Sequence, residues 1–494
     1  MRSDNQHISN RPIVTTHSLI NARAAGRVHP LPARLPLAFH ARISRRTTAR
    51  LLMALLCLGV LMGAGRPAFA ISLIRDAETE ELLRTYATPI FAAAGLNPKS
   101  VNIYLVQDNQ INAFVAGGQN VFFTTELLME FNSPGEIKGV IAHEVGHIAG
   151  GHLARAQDAM KGSGALAIAS MVLGMGAAVM GQADVGMGIM TGGMHVAERN
   201  YLAYSRSQEA SADQAGATFL EAIGESPAGL LEVMHRFSGQ EALNAPKQDP
   251  YVLTHPVGSD RIRSLEERLA SSPFRDRKDP PELIEAHLRM QGKLYGFLKP
   301  FAQTFRKFPA KDTSVKARYA RAIAHYRRGD TEEGLKEVDQ LIAEDPQNPY
   351  YYELKGQILF ENGRVREAIA PHARAVALKP DIPLLRVNLA QAMLSTEDKA
   401  FQKPAKESLE LAMRQDPEIT FGWQQLAIAY ANEGQEGMAS LASAERFFRS
   451  DDRRDAYIHS QRAMKLLPQG SPGNFRAQDI YDMVKPKNRG DFIE

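Results

Sequence analysis

The pattern of apolar and polar residues divides the first third of the chain into strands and helices. Residues 101–106 alternate between apolar and polar positions, as a half-buried strand does. Apolar triplets at 113–115 and 121–123 flank Gly117-Gly118, which predicts two further short strands joined by a turn. Such strands form either a sheet edge that accepts an extended peptide or an ordinary core hairpin, and the pattern favours neither.

Helical patterns surround these strands. We expect a helical opening segment over residues 71–99 and an apolar helix over residues 137–153. Ser133-Pro134-Gly135-Glu136 supplies a start for the second helix, with Ser133 as the N-cap and Glu136 in the capping-box position. Further helices are predicted at residues 200–220, 227–237, 259–270 and 282–305.

From Lys311 onward the sequence repeats with a period of 34 residues, which is the period of tetratricopeptide repeats. Equivalent residues one period apart are Gly329 and Gly363, Pro346 and Pro380, and Gly356 and Ala390. A longer spacing between Pro380 and Pro417 indicates a small insertion near residues 395–402. Because each helix pair buries one face on its neighbour, the repeats predict a curved solenoid with a concave binding surface. An unrelated helical bundle is the alternative.

Charge is concentrated at the N-terminus. Residues 1–70 hold ten arginines and one acid, so this segment carries +9, whereas the whole chain carries +3 and the remainder −6. An acidic remainder lacks the excess of basic residues that nucleic-acid binding requires. Basic residues within 42–50, an apolar core at 51–64 and the Ala68-Phe69-Ala70 site predict a signal peptide cleaved near Ala70. The single cysteine, Cys57, lies inside it, so the mature chain has no disulfide or thiol chemistry.

Residues 162–183 form an uncharged stretch dominated by glycine, alanine and methionine. Its length is enough to span a bilayer. The glycines weaken a helix, however, and favour a flexible insertion over residues 161–198 that contacts a membrane surface or covers a groove. A membrane-spanning helix and a buried core helix are the alternatives.

The pentapeptide His143-Glu144-Val145-Gly146-His147 lies within the apolar helix predicted at 137–153. Residues four apart share a face of a helix, so His143 and His147 can bind the same zinc ion. Glu144 lies beside the first histidine, where it can act as the general base toward an attacking water. Two solvated histidines on an ordinary helix are the alternative.

A zinc site of this kind needs a third protein ligand. Glu209 and Asp213 are four residues apart on the helix predicted at 200–220, so they share a face. Glu209 can bind the metal, while Asp213 can accept a hydrogen bond from a ligand imidazole and fix its tautomer. A solvated acidic helix face is the alternative.

The metzincin class offers a competing ligand pattern, with a glycine and a third histidine after the pentapeptide. Gly150 fits that pattern, but Leu153 occupies the position of the histidine. His152 is one position early, and on a continuous helix it points about 140° away from His147. We therefore interpret His152 as structural or exposed, unless the chain breaks at Gly150-Gly151.

His255 and Arg261 are candidates for the remaining catalytic functions. His255 lies on the loop Thr254-His255-Pro256, and Arg261 lies in the helix predicted at 259–270. Either side chain could stabilise the oxyanion that develops on the scissile carbonyl. His255 could instead bind zinc as a fourth ligand and block the site. A loop histidine bonded to the backbone is the third alternative.

These motifs together resemble a known family of peptidases. The segments that carry the resemblance are His143–His147, Glu209–Asp213, Thr254–Arg261, Asn112–Phe114 and Asn120–Thr124. They are similar to the gluzincin family that contains the prenyl protease and the heat-shock protease HtpX. A leader, a peptidase domain and C-terminal tetratricopeptide repeats resemble the exported branch of that family. The resemblance implies a periplasmic zinc protease, also a chaperone, that acts on outer-membrane proteins and their assembly machinery.

The sequence therefore predicts a mainly α chain, with a zincin-like peptidase domain and its small β-sheet followed by an α-solenoid of tetratricopeptide repeats. The predicted divisions are a signal peptide with its N-terminal extension at 1–70, a zinc peptidase domain at 71–275, a linker helix at 276–310, a repeat domain at 311–480 and a tail at 481–494.

The first functional hypothesis is a periplasmic endopeptidase with one zinc ion, which degrades misassembled outer-membrane proteins and assists their assembly. Its repeat domain would bind unfolded or misassembled substrates or the outer-membrane assembly machinery. The alternatives are an assembly chaperone with weak or regulated proteolysis, and a membrane-anchored peptidase.

Overall fold

The computed structural model describes residues 72–152, 205–240 and 249–486. The predicted signal peptide, the insertion predicted at 161–198 and residues 487–494 lie outside the described residues. Within the described ranges, no helix combines the length and the apolar character needed to cross a bilayer. The prediction of a mainly α chain with one small sheet is confirmed.

Four short strands form the sheet. They are β1 (Leu73–Ile74), β2 (Asn102–Val106), β3 (Ala113–Ala116) and β4 (Asn120–Thr124), in the order β1-β2-β4-β3. The strands β2 and β4 run parallel, and the other two pairs run antiparallel. Gly117 and Gly118 both take positive φ, which allows the tight turn between β3 and β4. The three predicted strands are confirmed, and β3 forms an edge of the sheet.

Seven helices accompany the sheet in the described part of the peptidase region. They are α1 (Ala77–Ala93), α2 (Thr125–Glu130), α3 (Pro134–Ala149), α4 (residues 205–222), α5 (Ala228–Phe237), α6 (Pro250–Thr254) and α7 (Ser259–Ser271). The prediction of helix over 71–99 is wrong at both ends. The segment begins as β1, and the helix ends at Ala93 because Gly95 takes a φ of +73° and Pro98 disfavours helix in the residue before it.

Helix α3 begins as the sequence predicts. The Ser133 side chain accepts a hydrogen bond from the Glu136 N–H, and the Glu136 side chain accepts one from the Ser133 N–H, so the capping box is formed. Two glycines then allow neighbouring backbones to approach α3. A Cβ atom on Gly139 would lie 2.6 Å from the Leu230 nitrogen of α5, and one on Gly146 would lie 2.7 Å from the Ala212 oxygen of α4. Helix α3 is therefore enclosed by neighbouring elements along most of its length.

Ten helices in five pairs form the repeat array (residues 315–484), and the predicted solenoid of helix pairs is confirmed. They are α10 to α19: Val315–Arg328, Thr331–Glu344, Pro349–Glu361, Val365–Leu378, Pro383–Leu394, Lys399–Gln415, Thr420–Asn432, Glu436–Arg449, Arg453–Leu466 and Pro472–Val484. Gly329 and Gly363 both take positive φ between the two helices of a pair, which explains the repeated glycine.

The helix predicted over 282–305 is two helices, α8 (Pro281–Leu298) and α9 (Phe301–Lys307). Pro300 separates them, because proline lacks the N–H that a continuous helix needs. Helix α8 contributes Met290 and Leu294 to the core of the peptidase region. On its other face, a Cβ atom on Gly292 would lie 2.5 Å from the Lys316 carbonyl oxygen of α10. One helix therefore packs against both the peptidase region and the repeat array.

Candidate metal centre

Two helices and one loop bring four ligand candidates together. His143 and His147 lie one turn apart on α3, Glu209 lies on α4, and His255 follows the last residue of α6. One ligand atom from each residue lies within 4.8 Å of the others. His143, Glu209 and His255 are buried, and His147 is partly exposed. This is a compact group of three imidazoles and one carboxylate.

The separations between these atoms suit a tetrahedral metal. The Nε2 atoms of His143 and His147 lie 3.1 Å apart, and Glu209 oxygens lie 3.3 Å and 3.4 Å from them. Metal bonds of about 2.0–2.1 Å to such ligands place tetrahedral ligand atoms about 3.3 Å apart. Two imidazoles and a carboxylate are also a donor set that zinc binds. The three residues predicted as ligands therefore fit a zinc ion.

Asp213 contacts the ligand candidate His143, and Arg261 in turn holds Asp213. Nδ1 of His143 lies 2.9 Å from Oδ1 of Asp213, so the Nδ1–H donates to this carboxylate when Nε2 is used as a ligand. Arg261 donates two hydrogen bonds to Asp213, at 2.6 Å and 2.8 Å, and a third to the Pro256 carbonyl. Its Nη1 atom also lies 3.1 Å from Glu209. Arg261 therefore contacts one ligand candidate, Glu209, and also Asp213, which contacts His143.

The electrostatics of the group favour one cation at its centre. Burial alone lowers the pKa of His143, but hydrogen bonds with Asp213 and Glu209 outweigh burial and raise that pKa to about 10. Burial and the neighbouring His143 charge lower the pKa of His147 to about 2. Burial alone raises the pKa of Glu209, but His255 and His143 hold it well below its ordinary value. The field that favours a proton on His143 favours a divalent cation in the same place.

His255 lies at the fourth corner of this group. Its Nδ1 atom is 3.2 Å from Nε2 of His143 and 3.1 Å from Glu209, and its Nε2 atom is 3.3 Å from Glu144. Neither Nε2 of His255 nor Oε1 of Glu144 has a hydrogen-bond partner among the described residues, and both atoms are buried. Burial raises the pKa of the Glu144 carboxyl. His255 therefore lies between Glu144, the candidate general base, and the ligand candidates His143 and Glu209.

His152 lies closer to the site than a continuous helix would allow. Helix α3 ends at Ala149, and Gly151 takes a φ of +63°, so the chain does break at Gly150-Gly151. His152 is buried, and its Nδ1 atom lies 3.0 Å from Nδ1 of His147. Of the two interpretations of His152, structural or exposed, burial excludes the exposed one, and the chain break that the interpretation named as an exception is present.

Sequence reasoning also missed Tyr251. Its ring lies 4.9 Å from that of His255 and 5.1 Å from that of Phe237, and its carbonyl accepts the His255 N–H at 2.8 Å. Tyr251 thus supports His255 from α6. A tyrosine beside a proline in a short helix gives no signal of such a role in the sequence.

Two histidines one helical turn apart, an adjacent glutamate and a carboxylate from a second helix define the centre of a metallopeptidase. Residues 75–269 match peptidase family M48, and residues 319–383 match the tetratricopeptide repeat. The chain thus contains a peptidase family M48 domain followed by tetratricopeptide repeats, and it is a metalloprotease homologous to the beta-barrel assembly-enhancing proteases.

Several proteins are similar to all or part of the described organisation. The beta-barrel assembly-enhancing protease of Yersinia pestis is 26% identical over 378 residues, which cover 76% of this chain and 76% of that protein. The protein of the same name from Escherichia coli (strain K12) is 24% identical over 329 residues, or 65% of this chain and 66% of that protein. Metalloprotease LoiP from Escherichia coli (strain K12) is 25% identical over 197 residues, which cover 40% of this chain and 73% of that protein.

Proposed function

We propose that this chain is a zinc-dependent endopeptidase of the periplasm that acts on misassembled outer-membrane proteins and assists their assembly. His143, His147 and Glu209 would hold one zinc ion per chain. The observation that carries the proposal is the tetrahedral spacing of their ligand atoms, 3.1–3.4 Å, within a buried group that attracts a cation. The arginine-rich, apolar leader of the sequence supports export, with cleavage near Ala70.

Zinc would supply Lewis acidity that polarises the scissile carbonyl and makes water more acidic. Glu144 would take the proton from the attacking water and pass it to the leaving amine. Its burial supports this role, since the raised pKa of the carboxyl brings it closer to the range in which a general base can also return the proton. Asp213, held by Arg261, would keep His143 in the tautomer that directs Nε2 to the metal.

His255 has two candidate roles in this mechanism, and its distances support the blocking role. With Nδ1 at 3.2 Å from His143 and 3.1 Å from Glu209, it would complete the coordination and exclude water. His255→Ala should then raise proteolysis or self-cleavage, whereas an oxyanion donor would lose activity on removal. His235→Ala is the matched control, because His235 is exposed on α5 and pairs with Glu266. Unchanged activity would assign His255 neither role.

The sheet edge supports a mode of substrate binding. Strand β3 lies at the edge of the sheet, packs near α3, and pairs with only β4 among the described residues. An extended peptide could add to β3 as a further strand and lie beside the metal centre. Unfolded or misassembled proteins present such extended segments, which makes them the substrate class that this edge suits.

The repeat array supports a partner-binding role. Tetratricopeptide arrays present extended concave surfaces to other proteins. The names of the relatives concern assembly of β-barrel proteins, and we extend that function to this chain: the array would bind the outer-membrane assembly machinery or its substrates. The second candidate function is an assembly chaperone whose proteolysis is weak or regulated, and the position of His255 at the fourth corner favours it.

The test is Glu144→Gln in the full chain, with an unfolded outer-membrane β-barrel protein as substrate. Zinc content should stay at one ion per chain while cleavage is lost, because the amide keeps the volume but cannot take a proton. Glu266→Gln, at an exposed glutamate, is the control and should cleave normally. Unchanged cleavage by Glu144→Gln would refute the mechanism. Restored envelope integrity by Glu144→Gln in a deletion strain would favour the chaperone.

A membrane-anchored peptidase is the remaining alternative, and cell fractionation separates it from the proposal. The mature chain should leave the membrane fraction on carbonate extraction, and its N-terminal sequence should begin near Ile71. Retention of the mature chain in the extracted membrane would instead support an anchor.

A further inference from the structure

His152 lies beside the proposed metal site without belonging to the four ligand candidates. Nε2 of His147 faces His143 and Glu209, at 3.1 Å and 3.4 Å, whereas Nδ1 of His147 faces His152 at 3.0 Å. The two imidazole rings meet edge to face, with their centroids 5.0 Å apart. The ring nitrogen of His147 that points away from the ligand group is therefore in contact with the buried imidazole of His152.

The backbone after α3 makes this contact possible. The left-handed conformation of Gly151 turns the chain so that His152 returns toward His147 instead of continuing along the helix. The His152 ring packs directly on Gly150, where an added Cβ atom would lie 2.7 Å from Cδ2 of the ring. A side chain at position 150 would therefore displace the His152 imidazole from its present position.

The hydrogen bond between two Nδ1 atoms requires one proton and one lone pair. When Nε2 of His147 is used as a metal ligand, the neutral ring carries its proton on Nδ1, so His147 is the donor and His152 the acceptor. Metal-binding histidines are generally held by an acceptor at the second nitrogen. Asp213 has that position for His143, at 2.9 Å, and His152 has the corresponding position for His147.

We propose that His152 is a positioning residue for His147, whose tautomer and ring orientation it fixes by accepting the Nδ1–H bond. The inference rests on the proposed function, because it assigns a supporting partner to a proposed zinc ligand. Glu144 contacts His255 at 3.3 Å, whereas His152 contacts the nitrogen of His147 that points away from the ligand group. Loss of His152 is therefore expected to act on metal affinity before it acts on the proton transfer.

The test measures the zinc affinity of the full mature chain by competition with a chelator. In His152→Ala the affinity should fall roughly 10- to 100-fold, as it does when other supporting partners of metal ligands are removed. In His152→Asn part of the affinity should return, because the side-chain oxygen can accept a hydrogen bond near the position of Nδ1. His235→Ala removes an exposed histidine and should leave the affinity unchanged.

A second measurement separates positioning from a purely structural role. The visible absorption spectrum of the cobalt-substituted chain reports the geometry of the ligands, and it should change in His152→Ala and move back in His152→Asn. Gly150→Ala keeps the imidazole but displaces it, so this variant should reproduce the weaker affinity. It also provides the test if His152→Ala does not fold. The unfolding temperature of the metal-free chain measures general damage to the fold.

The outcomes distinguish this inference from the proposed function. Unchanged affinity and cobalt spectrum in His152→Ala and Gly150→Ala would overturn the positioning role and leave the zinc site standing. An equal loss of affinity in His152→Asn and His152→Ala, together with a lower metal-free unfolding temperature, would make His152 structural only. Absence of zinc binding by the unmodified chain would overturn the proposed function and this inference with it.

Discussion

Gly146→Val is expected to weaken the metal site without removing any ligand. A Cβ atom at this position would lie 2.7 Å from the Ala212 carbonyl oxygen and 2.9 Å from the Ala212 Cα atom. Ordinary contacts begin near 3.4 Å, so α4 would have to move away from α3 by about 0.7 Å. Glu209 lies one turn before Ala212 on the same helix and would move with it. Metal sites tolerate ligand displacements of only about 0.2 Å.

Chelator competition and unfolding of the metal-free chain together measure this effect. The zinc affinity of Gly146→Val should fall at least roughly tenfold, and overpacking should lower the free energy of unfolding by about 1–3 kcal/mol. Valine forms helix better than glycine does, so helix propensity cannot explain a loss. Gly258→Val is the matched control, since nothing lies within 4 Å of a Cβ atom there. Equal zinc affinity in the two variants would refute the argument that this backbone contact sets the ligand spacing.

Three further predictions concern the repeat array, its junction and the support of the ligands. Burial lowers the pKa of His372 from 6.5 to about 4. Between these two values the unfolded chain binds more protons than the folded chain, so the free energy of unfolding decreases by up to roughly 3 kcal/mol as the pH is lowered from 7 to 4. Thermal melts from pH 7 to pH 4 should show a smaller loss in His372→Leu, and an identical loss would contradict this. Gly292→Val should loosen α8 from α10, because its Cβ atom would lie 2.5 Å from the Lys316 oxygen; undiminished resistance of the connecting segment to limited proteolysis would argue against it. Arg261→Lys should weaken zinc binding, since lysine cannot reproduce the two hydrogen bonds to Asp213; a zinc titration that matches the unmodified chain would disprove it.

Local rules predicted the part of the site that lies on regular helices. The spacing of His143 and His147 places both imidazoles on one face of α3, and the same rule places Glu209 and Asp213 on one face of α4. The structure brings all four together, with His143 in contact with both carboxylates. Helix periodicity suffices here because each ligand pair lies within one unbroken helix.

The sequence could not predict features that depend on breaks in regular structure or on long-range packing. His152 reaches His147 only because α3 ends three residues earlier, and helix geometry extrapolated past Ala149 points it elsewhere. For His255 the sequence left several roles open, because its distance from Glu209 depends on how α6 packs on Phe237. The predicted helix began within one residue of the start of α8 but ran through the break at Pro300, and nothing local in the sequence indicates that α8 packs on two sides.

The two-sided packing of α8 determines how the molecule can be divided. Gln291 donates hydrogen bonds to three carbonyls at the end of α2, and Met290 fills the peptidase core, so a fragment that stops at residue 275 would lack part of its own interior. A fragment that starts at residue 311 would uncover the α10 backbone where Gly292 lies against it. Both halves need the same eighteen-residue helix, α8, to be whole. A protease that cuts α8 would therefore disrupt the peptidase region and the repeat array together, because both pack against this helix.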